Sequence, residues 1–216
     1  MSRPLYATLV VICLASGTAA FSQAEKSITA GWVPFVAKWV QTNDIESMRG
    51  HYTATASGIF VRDKRGSWFR RLTTKSVRGD LPIINYTDAA FLCDRVNRRA
   101  YLLDFSSKTI TPMQMNDRDQ PLSSQDFEFQ HSLDKFLGKQ IISGVECEGY
   151  AIHGSRHNGL YTTEEWYAPS LNYLVVESKV HVHGDQEVEA RLEEIQAGKE
   201  PDPQYLRLPQ GFKMIK

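Results

Sequence analysis

The chain has 216 residues, of which 42% are apolar, and this suits one domain with a hydrophobic core. Its 25 basic residues balance its 25 acidic residues. We therefore expect no nucleic-acid partner, because proteins that bind nucleic acids carry a clustered basic surface.

The first twenty residues predict an export signal. Arg3 supplies a positive charge, and the apolar stretch 5–15 is too short to span a bilayer as a helix. Small residues at 17–20 predict cleavage after Ala20, with Ala24 as the alternative. Cleavage removes one arginine and leaves 24 basic against 25 acidic residues. We expect a single mature domain, 25–216, in the periplasm or outside the cell, with no stable membrane span.

Residues 25–48 carry apolar side chains at helical spacing, and Pro34 fits the first turn of a helix. This predicts a helix that packs its aromatic stripe on a sheet or forms a lid over an apolar cavity. In the second case three residues are candidates to cover a ligand: Trp32, Phe35 and Trp39.

The next segments alternate between short strands and turns. Residues 51–61 and 67–73 predict a hairpin around the turn 63–66. Three further short strands are predicted at 90–94, 99–104 and 109–113, and this spacing of turns is typical of an antiparallel meander.

Residues 114–137 interrupt the meander with a polar loop and a helix. Ser123 or Ser124 fits the N-cap, and Gly138 fits the C-terminus. Four residues supply the predicted apolar face of this helix: Phe127, Phe129, Leu133 and Phe136.

The stretch from Gly138 to His183 predicts three successive antiparallel strands. In its last strand, Ser178 falls on the same face as the apolar residues Leu174, Val176, Val180 and Val182. Residues 187–195 have helix-forming composition but alternate like a half-exposed strand, and we predict a strand there. The tail 198–212 is expected to lie over the sheet, with Tyr205, Leu206, Leu208 and Phe212 as plugs.

Two pairs of residues could carry chemistry. Cys93 and Cys147 lie on predicted strands of an exported chain, so a disulfide is predicted, with two separate buried thiols or a reactive cysteine as alternatives. His181 and His183 share a strand face and are weak candidates for metal ligands, but a solvated strand end explains them more simply. Glu164 and Glu165 point to opposite faces and cannot act as an acid–base pair.

Four pieces of the chain resemble a group of uncharacterised exported bacterial proteins whose fold is similar to that of the periplasmic lipoprotein-sorting carriers. The pieces are 94–104, 137–149, 165–169 with the following valine-rich strand, and 195–209. The resemblance implies a LolA-like half-barrel: an α+β, mainly antiparallel β fold, curved and incomplete, with one or two covering helices.

The sequence contains neither a serine nucleophile elbow nor a phosphate-binding glycine loop. We therefore expect a non-catalytic binding protein without a cofactor, whose partner is an apolar small molecule, a lipid or a lipidated protein. One alternative is a structural or protein-interaction module of the cell envelope with a filled core. A more remote alternative is a metal-dependent enzyme.

Overall fold

The structure, a computed structural model, describes residues 31–47, 50–78, 84–115, 123–156, 159–182 and 186–215. The predicted export signal, its cleavage sites and the start of the predicted mature domain lie outside these ranges. The helices in the described part of the chain are all too short or too polar to cross a membrane.

Twelve strands form one open sheet. Its order is β12-β6-β5-β4-β3-β2-β1-β11-β10-β9-β8-β7, and every neighbouring pair is antiparallel except β12 with β6. The strands are β1 (Phe35–Ser47), β2 (Gly50–Arg62), β3 (Trp68–Arg78), β4 (Ile84–Asp94), β5 (Arg99–Asp104), β6 (Thr109–Met113), β7 (Lys135–Ile142), β8 (Val145–Arg156), β9 (Gly159–Ala168), β10 (Leu174–Val182), β11 (Gln186–Ala197) and β12 (Lys213–Met214).

The predicted fold class is confirmed, because mainly antiparallel strands form one unclosed sheet with a covering helix. In the described ranges that helix is α1 (Ser124–Gln130), joined by 3-10 turns at Pro169–Leu171 and Pro203–Leu206. The strand predicted at 187–195 is also confirmed as part of β11.

The helix predicted at 25–48 is wrong, because residues 35–47 form β1 between β2 and β11. Phe35, Ala37 and Trp39 are all buried, which is the period of two that a strand requires. Val36 and Val40 are four residues apart, a spacing that also fits a helix, but in β1 they lie on the face opposite to Phe35 and Trp39.

The second predicted helix exists but is shorter than expected. Ser123 caps α1, and its hydroxyl oxygen accepts a hydrogen bond from the Asp126 N–H. The helix ends at Gln130 and β7 begins at Lys135, so the predicted C-terminus at Gly138 is wrong. Of the predicted apolar face only Phe127 is buried; the exposed members are Phe129, Leu133 and Phe136.

The stretch after α1 contains four strands, β7 to β10, rather than the predicted three. The turn at Ser143 and Gly144, both with positive φ, divides the first predicted strand into the β7–β8 hairpin. Glycine adopts positive φ without steric cost, so Gly144 favours a turn at this position.

The tip of the β7–β8 hairpin bends back over the sheet. The Ser143 hydroxyl donates to the Leu192 carbonyl on β11 at 2.7 Å, although β10 and β9 separate β11 from β8. In a flat sheet three strand spacings amount to roughly 14 Å. Register shifts in β1, β7 and β10 accompany this curvature, as expected because bulges bend strands.

The two faces of the sheet carry separate cores. We call one the α1 face, because α1 covers its β8–β9 end; it includes Trp39 of β1, Leu192 of β11 and Val180 of β10. We call the other the tail face. It carries a buried core made of Val61, Phe69, Ala90, Leu92, Tyr101, Leu103 and Ile110.

The C-terminal tail covers the tail face, as predicted. Tyr205, Leu206 and Phe212 pack against its core, and the Phe212 ring lies edge-on to Phe105 with centroids 5.2 Å apart. Leu208, the fourth predicted plug, is exposed. The chain therefore closes this face with its own side chains.

Candidate functional site

A row of residues crosses five strands of the α1 face and contains buried polar groups. The strand register aligns Gln41 of β1, Ala190 of β11, Ser178 of β10, Glu165 of β9 and Tyr150 of β8. We call this set the polar row. Ser178 and Glu165 are both buried in it, and Ser178 is flanked by Val176 and Val180 on the same face of β10. Ser178 lies on the core face that the alternation of β10 predicts.

Glu165 is buried and accepts a hydrogen bond from the Tyr167 hydroxyl. Burial raises the pKa of Glu165, while the hydrogen bond from Tyr167 partly opposes this change. Burial also raises the pKa of Tyr167, and the neighbouring Glu165 adds to it. The pair therefore brings a weakly acidic carboxyl group and a neutral phenol into the interior.

The turn after α1 places a histidine–aspartate pair above this carboxyl group. His131 Nδ1 lies 2.7 Å from Asp134 Oδ2, with the ring N–H donating to the carboxylate. The imidazole ring packs against the rings of Tyr167 and Tyr150, with centroids 4.9 Å and 5.1 Å away. This pair could not be predicted from the sequence, because only the docking of α1 brings it to β9.

Phe127 holds α1 on the sheet. Its ring stacks on Tyr173 at 4.1 Å and meets Tyr167 and Tyr150 edge-on at 4.8 Å and 5.4 Å. Phe127 is fully buried and is the one buried residue of α1. A seven-residue helix is too short to be stable alone, so this aromatic contact is what keeps α1 in place.

Two neutral side chains on the α1 face bury a hydrogen-bonding group that has no partner among the residues that the structure describes. These groups are the indole N–H of Trp39, a residue that is 6% exposed, and the hydroxyl of Ser178, which is 2% exposed. Leaving such a group buried without a partner costs about 1–3 kcal/mol. Most buried polar groups in folded proteins are paired, so these two call for an explanation.

Aromatic and cationic groups surround Trp39. Its ring meets Phe60 edge-on at 6.1 Å, and the Arg70 guanidinium lies 4.9 Å from its centroid. Arg70 also lies 5.4 Å from the Phe91 ring. The neighbourhood of the Trp39 N–H is therefore apolar, with one adjacent cation.

Arg62 shows how the same face satisfies a polar group that serves the fold. Its guanidinium donates to the carbonyls of Val33 and Leu171 at 2.9 Å and 2.8 Å, and to Asn172 Oδ1 at 3.3 Å. Burial lowers the pKa of Arg62 to about 10, so it stays charged at neutral pH. It joins the end of β2 to the turn before β10.

The three residues predicted to cover a ligand lie elsewhere than expected. Phe35 and Trp39 belong to β1 and form part of the sheet itself. The Trp32 ring packs at the end of the sheet, 4.7 Å from the Arg62 guanidinium and 5.2 Å from that of Arg95. A covering helix is thus excluded for Phe35 and Trp39, and contact of any of the three with a ligand stays a prediction.

The predicted disulfide is not formed in the structure, where Cys93 and Cys147 are both thiols. They lie on β4 and β8, which are seven places apart in the sheet order, and each is buried. Burial raises the pKa of Cys147 to about 11, which keeps its thiol protonated and unreactive at neutral pH. The alternative of two separate buried thiols describes the structure.

Of the two histidines considered as metal ligands, the structure describes only His181. His181 is exposed on β10, with Nδ1 3.9 Å from Glu187 Oε2, and His183 lies outside the described residues. Within the described ranges no three residues of His, Cys, Asp and Glu are grouped as metal ligands would be.

A groove of about 570 Å³ opens between the β7–β8 hairpin and strands β10 and β11. Its walls include Glu177, Arg191 and Glu193, and Arg191 is paired with Glu193 at 2.6 Å. Such a charged lining does not suit an apolar ligand.

No family model and no curated protein matches the chain. Among solved structures, the complex of Pseudomonas aeruginosa MucA/MucB aligns at 12% identity and a TM-score of 0.39, covering 81% of this chain and 55% of that one. The chain thus spans less than two thirds of the MucB-containing structure that it matches. A β-barrel-like protein of domain of unknown function DUF1849 from Brucella abortus aligns at 8% identity and a TM-score of 0.40, covering 77% and 98%. LprF from Mycobacterium bovis aligns at 12% identity and a TM-score of 0.35, covering 79% and 90%.

Proposed function

We propose that the chain is an exported, non-catalytic binding protein of the cell envelope that holds an apolar or lipidic ligand on its α1 face. The apolar export signal predicted at residues 1–20 supports the location. The mature domain is proposed to begin after Ala20 or Ala24 and to work in the periplasm or outside the cell.

One observation carries the proposal: Trp39 and Ser178 bury hydrogen-bonding groups without partners among the described residues, beside the apolar cluster of the α1 face. A ligand with an apolar body and a few acceptor atoms would supply those partners. Ligand sites in proteins have this composition, with mostly apolar walls and a small number of placed polar groups.

The polar groups of this face are poorly arranged for catalysis. A serine nucleophile needs a base within hydrogen-bonding reach, and the Ser178 hydroxyl contacts none of the described side chains in this way. His131 is instead held by Asp134 and packed against tyrosine rings. This supports a binding role over a chemical one.

The test is whether the purified mature protein takes up an apolar probe. We expect organic extracts of the protein to contain an acyl compound by mass spectrometry, and the protein to bind a fluorescent acyl probe. Ala190→Leu should weaken probe binding at least fivefold, because Ala190 lies directly opposite Ser178 across the β10–β11 pair and the larger side chain would compete with the ligand there.

Ala90→Leu is the matched control. Ala90 is as well buried as Ala190, but it lies in the core of the tail face. Both variants should lose stability through overpacking, and only Ala190→Leu should lose probe affinity. Equal losses of affinity would contradict a site on the α1 face.

An empty extract together with no probe binding would contradict the proposal as a whole. That result would favour the alternative, a protein-interaction module. The feature that supports this alternative is β7, the last strand in the sheet order, which exposes Phe136 and Ile141 next to the exposed Leu133.

A further inference from the structure

The ligand of the α1 face must match the two buried groups that lack partners. We propose that it is a neutral acyl compound whose carbonyl and neighbouring oxygen or nitrogen atoms lie between Trp39 and Ser178, with its alkyl chain on the apolar part of the face. This inference rests on the proposed function and names the chemical class that the site would recognise.

The donor at Trp39 selects for an acceptor. An indole N–H can only donate a hydrogen bond, so the ligand atom next to it must be an oxygen or another acceptor. The Arg70 guanidinium, 4.9 Å from the Trp39 ring, also disfavours a cationic head group there. A quaternary amine or an alkylamine is therefore a poor fit.

The two donors lie diagonally across β11. Trp39 is paired with Leu192, and Ser178 with Ala190, two residues further along the same face of β11. Two strand spacings and two residues place their Cα atoms about 12 Å apart. A compound with two or more acceptor atoms along its head group can therefore reach both donors.

Glu165 argues for a neutral head group. It faces Ser178 directly across the β9–β10 pair and is buried, with its carboxyl group already accepting from Tyr167. A carboxylate or phosphate ligand at Ser178 would bring a further acidic group beside Glu165 and near Asp134, which already holds the neighbouring His131. An ester or amide carbonyl accepts from Ser178 without that repulsion.

The rest of the face suits an alkyl chain. Val176 and Val180 of β10, Leu192 of β11, and Phe60 and Leu72 on the far side of Trp39 are apolar. The head group is fixed by two hydrogen bonds while the chain is held by burial alone. The site should therefore discriminate strongly between head groups and weakly between chain lengths.

The experiment uses four probes of one chain length, delivered to the mature protein from cyclodextrin: methyl palmitate, palmitamide, palmitate and hexadecane. Affinities are measured by displacement of the fluorescent acyl probe at neutral pH. We expect the ester and the amide to bind at least tenfold more tightly than hexadecane and palmitate. The relative affinity of the ester and the amide shows which of these two sources of a carbonyl the site prefers.

Ser178→Ala and Trp39→Phe test the two donors. Each should lower the affinity for methyl palmitate about tenfold, because one net hydrogen bond is lost, and leave the affinity for hexadecane unchanged. Ser57→Ala, on the exposed side of β2, is the matched control and should change neither affinity.

The outcomes separate this inference from the proposed function. If the wild-type protein binds all four probes equally and Ser178→Ala changes nothing, the donors are satisfied by ordered water and the inference is wrong, while the binding function stands. Tighter binding of palmitate than of its methyl ester would also overturn it. Failure of every probe to bind contradicts the proposed function itself.

Discussion

The two faces of the sheet bury similar apolar side chains but differ in how their buried polar groups are satisfied. The tail face packs a continuous apolar core under Tyr205, Leu206 and Phe212, which the chain itself supplies. The α1 face buries Trp39 and Ser178 without hydrogen-bonding partners among the described residues. A face that serves only stability needs no such groups, and this difference is what supports the proposed ligand site on the α1 face.

The same comparison holds within the α1 face. Arg62 is charged and buried, yet carbonyl and amide oxygens surround it. Trp39 and Ser178 are neutral, and their buried N–H and hydroxyl groups have no hydrogen-bonding partner in the described part of the chain. Stability measurements can distinguish a polar group that the fold uses from one that it leaves for a ligand.

The largest effect is expected for Arg62→Met. This change removes the hydrogen bonds to Val33, Leu171 and Asn172. The carbonyl oxygens of Val33 and Leu171 lose the guanidinium as a donor, whereas Asn172 Oδ1 still accepts from the Val33 N–H. We expect a loss of about 3–5 kcal/mol in the free energy of unfolding, measured by urea denaturation.

Arg65→Met is the matched control for that prediction. Arg65 is exposed, and its buried ion-pair partner Asp63 keeps the backbone N–H groups of Arg65 and Ser67 as donors, so the loss should stay below about 1 kcal/mol. Similar losses in both variants would show that Arg62 does not tie β2 to the turn before β10.

Phe212→Ala weakens the tail face alone. Phe212 is partly buried against Phe105, and we expect a loss of about 2 kcal/mol. Probe binding should be unchanged, because the tail and the α1 face lie on opposite sides of the sheet. If Phe212→Ala weakens probe binding under conditions where the variant is still folded, the ligand contacts the tail face, which would contradict a site on the α1 face.

Ser178→Ala should stabilise the ligand-free protein, by about 1 kcal/mol, because it removes a buried hydroxyl that has no partner. Thermal unfolding after delipidation is the measurement. A lower melting temperature in the variant would mean that the hydroxyl is already paired in the ligand-free protein.

Glu165→Gln tests the buried carboxyl group through pH. Its pKa in the folded protein is raised above the ordinary 4.5 by burial and by Asp134, while Tyr167 and His131 oppose this change. Below pH 4.5 the group is protonated in both states, and its contribution to stability is lost as the pH rises through the folded pKa.

The variant should therefore gain stability relative to the wild-type protein as the pH is raised from 4 to 7. The control is Glu164→Gln, because Glu164 is the next residue on β9 and points to the other face. The same pH dependence in Glu164→Gln and Glu165→Gln would contradict a special environment for Glu165.

The smallest effect is expected for the thiols. Cys93 and Cys147 are buried and are not joined in a disulfide, so the mass of the mature protein should not change on reduction, and both thiols should react with a thiol reagent only after denaturation. A mass increase of two hydrogens on reduction would show that the disulfide predicted from the sequence is present in the mature protein.

Local pattern predicted most of the sheet. Turn residues separate the strands from Gly50 to Met113, and alternation identified the core face of β10 with Ser178 on it. The same alternation would have identified β1, but Trp32 and Val40 fit a helical period as well, and the helical interpretation was wrong. Short apolar stretches do not distinguish the two periods.

The candidate site could not be predicted, because it joins distant parts of the chain. Trp39 and Ser178 meet on one face only because β11 is inserted between β1 and β10. His131 reaches Tyr167 through the docking of Phe127, a contact that no local pattern encodes. The one available signal was a serine at an apolar position of β10.

The most direct test observes the Trp39 indole N–H by nuclear magnetic resonance. The chain has four tryptophans and thus four indole signals, and Trp39→Phe assigns the relevant one. We predict that saturation with methyl palmitate moves the Trp39 indole proton downfield, as a new hydrogen bond requires, whereas hexadecane does not. An indole proton that keeps the same chemical shift in the free and the ester-saturated protein would contradict the account.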